Sequence, residues 1–278
     1  MTIDLQFNTK ANGYVSALTI TAIWAVIFLS VYLSFIYSHH TYLLSVFIIG
    51  TCQRYLAELS HQAMHRNLFS HQTLNDRLDF FYAIPLFYTV QGTRAEHYSH
   101  HLNLEAEQAK INYSYDHLGI SGKLLKYRWY RLVVLYIQPF IGVQSFIEFK
   151  NILINTKEYF FNCYIFHILL LTVLFYFHLE SIYLYYWLIP FFTVYCIFYY
   201  YAELFSHFGC RDLHLSRDTV HWFVNLFVAP FGFCQYHSLH HISPKTPWFK
   251  YQGFGENYVK NRQSLSQTFK NMFLLKSV

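Results

Sequence analysis

The placement of lysine and arginine constrains this chain more than any other feature. Neither residue occurs between Lys10 and Arg54, nor between Lys157 and Arg211. Each gap has room for two membrane crossings and a short turn, since a helix needs ~20 residues to cross the hydrocarbon core. The first gap holds the uncharged run Tyr14 to Tyr37, a turn at Ser38–Thr41, and a second apolar run that starts at Tyr42 and fades near Cys52. The second holds Tyr159 to Phe177, a turn at His178–Ser181, and Ile182 to Tyr201. Four spans are predicted, at about 14–37, 41–59, 159–177 and 182–201. The second is expected to run on out of the bilayer, with Arg54 at the interface. All 20 basic residues then fall on one side, which the positive-inside rule makes cytoplasmic. The expected fold is all-α and integral to the membrane. Four transmembrane helices in two hairpins are expected, with both termini on the cytoplasmic side.

Composition supports this. Charged residues make up 13% of the 278, against about 25% in soluble domains. The length suits one domain, residues 1–278. Three further apolar stretches, Leu78–Val90, Leu132–Phe149 and Trp222–Phe233, are short or broken by proline, and read as interfacial or re-entrant. The first ten residues include Asp4 and no apolar h-region, so no cleaved signal peptide is expected. The five cysteines form no C-x-x-C pair, which excludes a zinc ribbon, and they do not look like a disulfide framework.

The 17 histidines are ordered. His61 and His65 give H-x3-H. His97, His100 and His101 give H-x2-H-H, and His237, His240 and His241 repeat it. On a helix, positions i, i+3 and i+4 share a face, so each box presents its imidazoles together. His207 stands alone after the fourth span, with Glu203 four residues before it. Two, three and three make eight box histidines, and His207 makes nine. One zinc takes about four ligands, so this many imidazoles suit two metals in one site. H-E-x-x-H is absent, which argues against a zinc metalloprotease. The charge pattern independently puts all three boxes and His207 on one side of the membrane, as a shared site requires. His39, His40 and His178 read as turn residues, His71, His117, His214 and His221 as cytoplasmic surface or supporting residues, and His167 as a polar group in mid-span.

At these residues the chain resembles the membrane fatty acid desaturase and hydroxylase family. The likeness extends to His61-Gln-Ala-Met-His65-Arg-Asn-Leu-Phe, to Leu74-Asn75, Pro85 and Arg94 before the second box, and to Pro244 and Pro247 after the third. It covers roughly residues 40 to 255. It departs at Gln62, where the family often has Asp, at the acids Glu105 and Glu107, and in the loose motif around Glu203 and His207. The resemblance implies a helical cap holding two irons through His61, His65, His97, His100, His101, His207, His237, His240 and His241. Glu203 is a further candidate, as ligand or as support for one. It also implies O2 as co-substrate and a fatty acyl or other lipid substrate, which is desaturated or hydroxylated. No His-Pro-Gly-Gly or G-x-G-x-x-G is present, so electrons are expected from a separate carrier, ferredoxin or cytochrome b5 with its reductase. No nucleic-acid partner is expected. A carotenoid ketolase or hydroxylase is the nearest rival, suggested by Pro247-Trp248 and the form of the first box. A haem-binding electron carrier and a metal transporter are remote alternatives.

Overall fold

The computed structural model describes residues 10–37, 39–108, 115–154, 158–210, 216–259 and 262–275. Its main elements are α1 (Lys10–Tyr37), α2 (His39–Met64), α3 (Val90–Gln108), α4 (Arg128–Phe140), α5 (Val143–Ile154), α6 (Glu158–Tyr176), α7 (Glu180–His207), β1 (Asp218–Val220), α8 (His237–Ile242), α9 (Tyr251–Tyr258), β2 (Arg262–Ser264) and α10 (Leu265–Leu274). The protein is mostly helical, as the sequence implied. All four predicted spans fall on helices. Two stretches, Asn12–Tyr37 and Glu180–His207, are long and apolar enough to cross a membrane. The apolar helix at Phe161–Tyr176 is shorter.

The chain divides into two compact units. The first to be described comprises residues 7–95 and 152–195. Here α1 and α2 form a hairpin, pinned where Ser45 Oγ donates to the Ser30 carbonyl (3.0 Å). Gly50 is required: a Cβ there would come within 2.5 Å of Val194 Cβ. Small residues permit such close helix contacts in membranes. Leu18, Phe28, Phe161, Ile168 and Phe175 are exposed, a surface that suits lipid rather than water. Arg54, expected near the interface, is buried within the protein and ion-paired with Glu58.

The stretch read as interfacial at Leu78–Val90 is not one helix. It is a pair of tight turns at Asp79–Phe81 and Ile84–Leu86, interrupted by Pro85 and by Phe87 at φ 69°. Asn75 organises this segment, its Oδ1 accepting from Leu68 and Phe69 N–H (3.0 Å each). Ser16 of α1 donates to the Leu68 carbonyl (2.6 Å). Thus the chain leaving the first histidine box is tied to the start of α1. Arg94 closes the end of α2, donating to the carbonyls of Met64 (2.9 Å) and Ala63 (3.2 Å) while paired with Asp76. A cation at a helix C-terminus satisfies the last carbonyls and complements the dipole.

The second unit comprises residues 96–151 and 196–278, with residues 1–6. Helices α4 and α5 meet at 64°, a break explained by Pro139 and by Gly142 at φ 78°. Tyr200 and Tyr201 of α7 donate to the carbonyls of Val134 (2.9 Å) and Leu135 (3.0 Å) in α4. The third stretch, Trp222–Phe233, is a wide helical turn at Val224–Val228 and a tight one at Pro230–Gly232. The short parallel strands β1 and β2 pair Asp218 with Arg262 and Val220 with Ser264. Ser264 then caps α10 in a reciprocal box with Gln267.

Candidate metal centre

In the second unit, three elements deliver histidines to one place. Helix α3 carries His97, His100 and His101; the end of α7 carries His207; α8 carries His237, His240 and His241. The contacts run through Nε2 atoms. His207 Nε2 lies 2.8 Å from His237 Nε2 and 3.3 Å from His100 Nε2. His241 Nε2 lies 3.1 Å from His237 Nε2. His101 Nε2 lies 3.1 Å from both His97 Nε2 and His240 Nε2. Two clusters result: His97, His101 and His240, and His100, His207 and His241. In each, one nitrogen per residue lies within 4.8 Å of the others.

Hydrogen bonding among the rings does not account for this convergence. An imidazole nitrogen carries either a proton or a lone pair. His207, His237 and His101 each bring one nitrogen against two others, and one proton cannot serve both contacts. A cation can. Two nitrogens about 2.0–2.1 Å from one ion stand roughly 2.8–3.4 Å apart at octahedral or tetrahedral angles. The observed separations of 2.8 to 3.3 Å match. Among the described residues the clusters contain imidazoles and no carboxylate. Neutral imidazole suits iron, copper, zinc and nickel. His241 is held well below the usual histidine pKa, first by desolvation and then by His237, His207, His101 and His100. A lone pair on that ring is therefore available at neutral pH.

The supporting residues were not legible in the sequence. Helix α8 has only six residues, and its cap Tyr236 contributes no side-chain bond. Asp218 of β1 does that work from a distance. Its carboxylate accepts from Ser238 N–H (2.9 Å), from Ser238 Oγ and from the His237 backbone. A carboxylate at a helix N-terminus is favoured by the exposed N–H groups and the dipole. Tyr251 OH lies 3.4 Å from His240 Nδ1, so it accepts the ring N–H when Nε2 serves as donor to a metal. Neither residue has a local signature, because each partner is remote in sequence.

In the first unit, His61 lies on the last turn of α2 and His65 just beyond its end, with ring centroids 5.2 Å apart. Glu203 is half-buried on α7, one turn before His207, and belongs to neither cluster. His167 is buried and fully engaged. Its Nε2 meets the Ile84 carbonyl (3.1 Å), its Nδ1 meets Tyr183 OH (2.8 Å), and its ring stacks on Phe87. It joins α6 to the turn at Ile84–Leu86 and so has a structural role. His71 and His117 are exposed, and His221 Nδ1 accepts from Phe223 N–H. The side chains of His39, His40, Glu105 and Glu107, and the whole of His214, lie outside the described residues.

Comparison with known proteins bears on the family of the chain. No solved structure matches the chain. A curated relative, the dihydrorhizobitoxine desaturase of Bradyrhizobium elkanii, is 24% identical over 270 residues, covering 86% of this chain and 74% of the relative. The family model for fatty acid desaturase matches residues 37–258. That match takes in all three histidine boxes, and the chain belongs to the fatty acid desaturase family.

Proposed function

We propose that the protein is a membrane di-iron oxidoreductase that desaturates a fatty acyl chain, using O2 and electrons from a separate carrier. The observation that carries this is the convergence of seven imidazoles from three elements of one unit, with Nε2 separations near those of ligands sharing an ion. His97, His100, His101, His207, His237, His240 and His241 would hold the metal. His61 and His65 join them on the strength of the first box. When bound, iron supplies the power to activate O2 and remove hydrogen from an unactivated C–H bond.

The chain's own residues bind and orient. The nine histidines are neutral donors, so the ligand set itself brings no negative charge to the ions. Asp218 fixes the start of α8, and through it the directions of His237, His240 and His241. Tyr251 sets the tautomer of His240. Abundant apolar and aromatic side chains around such a site would receive a lipid and keep water from the oxidising chemistry. Glu203 is proposed as a supporting carboxylate one turn from His207. The proposed setting is a four-span bilayer protein with the metal site and both termini cytoplasmic, based on the one-sided lysine and arginine distribution. A ferredoxin or a cytochrome b5 with its reductase would supply electrons.

The test is to compare lipid mass spectra of host cells that express the wild type or His100→Ala together with an electron carrier. A species lacking two hydrogens, present only with wild type, supports desaturation. A species gaining one oxygen identifies a hydroxylase instead. A changed pigment in a carotenoid-producing host supports the ketolase reading that Pro247-Trp248 suggests.

A further inference from the structure

On α2, Arg54, Glu58 and His61 follow one another along one helix face, at i, i+4 and i+7. Arg54 and Glu58 are 4% and 5% exposed. Two charges so deep in a protein are costly unless each is paired. One oxygen of Glu58 is paired with Arg54. Its second oxygen, Oε2, lies 3.7 Å from His61 Nδ1. That is within ion-pair reach and somewhat longer than a hydrogen bond. Arg54 is itself held, its guanidinium standing 5.7 Å from the Tyr195 ring centroid. Gln62, the residue after His61, has no charge to offer the ring.

We propose that Glu58 is a positioning residue for the metal site, whose carboxylate accepts the Nδ1–H of His61 and so commits Nε2 to the metal. Histidines that bind metal usually give their other N–H to such a partner, which fixes the tautomer and strengthens the donor nitrogen. Arg54 holds the carboxylate fixed in direction. A charge pair within an otherwise apolar helix is thereby explained by the box that follows it. The inference rests on His61 being a ligand, as proposed above.

The experiment uses the full chain in detergent, stripped of metal and titrated with Co(II), whose visible bands report its ligands. Wild type, Glu58→Gln, His61→Ala and the double variant are compared, with thermal unfolding of the metal-free forms as a folding control. Glu58→Gln is expected to weaken Co(II) binding about 10–100-fold and to shift the bands. In the His61→Ala background the same change should add nothing, since a positioning residue acts only through its ligand. An unaltered affinity and spectrum in Glu58→Gln, alongside weakened binding in His61→Ala, would overturn the proposal and leave the metal reading intact. Unaltered binding in His61→Ala would overturn the reading of His61 itself. Should Glu58→Gln fail to fold, Arg54→Gln/Glu58→Gln removes both buried charges. Weakened binding in that pair then supports the proposal, and wild-type binding overturns it.

Discussion

His207 Nε2 lies 2.8 Å from His237 Nε2, bringing the end of a long apolar helix against the third histidine box. His207 belongs to no box, yet it is the nitrogen on which His100 and His237 both converge. A ligand that binds only the folded state raises its thermal midpoint. Iron is therefore expected to raise the midpoint of the wild type, and His207→Ala to shrink that rise while the metal-free midpoint stays near the wild-type value. Differential scanning fluorimetry with and without Fe(II) checks this.

Asp218 supports the third box by accepting from the backbone N–H groups at the start of α8. Removing the carboxylate leaves buried N–H groups without an acceptor, at a cost of about 1–3 kcal/mol. Asp218→Ala should lower stability by that much and reduce iron content. Asp218→Asn, which keeps one acceptor oxygen, should do less of both. Chemical denaturation in detergent and metal analysis measure the two effects.

Two groups give pH dependences of opposite sign. His241 has a folded pKa below its ordinary 6.5. Its contribution is fully present above about pH 6.5 and is lost as pH falls, because the unfolded chain takes up the proton first. Metal ligands must also be deprotonated, so dialysis at about pH 5 should strip iron that is kept at about pH 7.5. Asp79 is pushed up from 3.8 to about 6, chiefly by burial. Its folded form favours the proton, so its contribution is lost as pH rises toward 6 and the ionised carboxylate is a burden above that. Asp79→Asn should raise the thermal midpoint at about pH 8, raise it by less at about pH 5, and leave it unchanged only below about pH 3.8.

His167 contributes packing and two hydrogen bonds away from the histidine clusters. His167→Ala should cost about 2–4 kcal/mol, as large-to-small changes in a packed interior do. Iron per chain should stay at the wild-type level, and thermal unfolding paired with metal analysis separates the two.

The sequence made the main features of both fold and site legible, for different reasons. Long apolar runs and H-x2-H-H spacing are local patterns, so α1, α7 and the boxes could be read directly. His207 stood out only as a lone histidine after the fourth span, because its neighbours are more than a hundred residues away in α3 and thirty away in α8. Asp218 and Tyr251 carry no pattern, since their meaning lies in what the folded chain sets beside them. The pairing of Arg54 with Glu58 was not legible either. Charge at a span's end ordinarily signals water, and the possibility of a buried pair serving the next turn is visible only once α2 is folded.

Iron per purified chain, determined for the wild type and for His100→Ala, tests the central claim most directly. The account predicts about two irons per wild-type chain, the number that nine imidazole donors suit, and a clear loss in the variant with its helix content preserved. Equal iron in both proteins, or none in a wild type purified under reducing conditions with iron supplied, would contradict the assignment of these histidines as the metal centre.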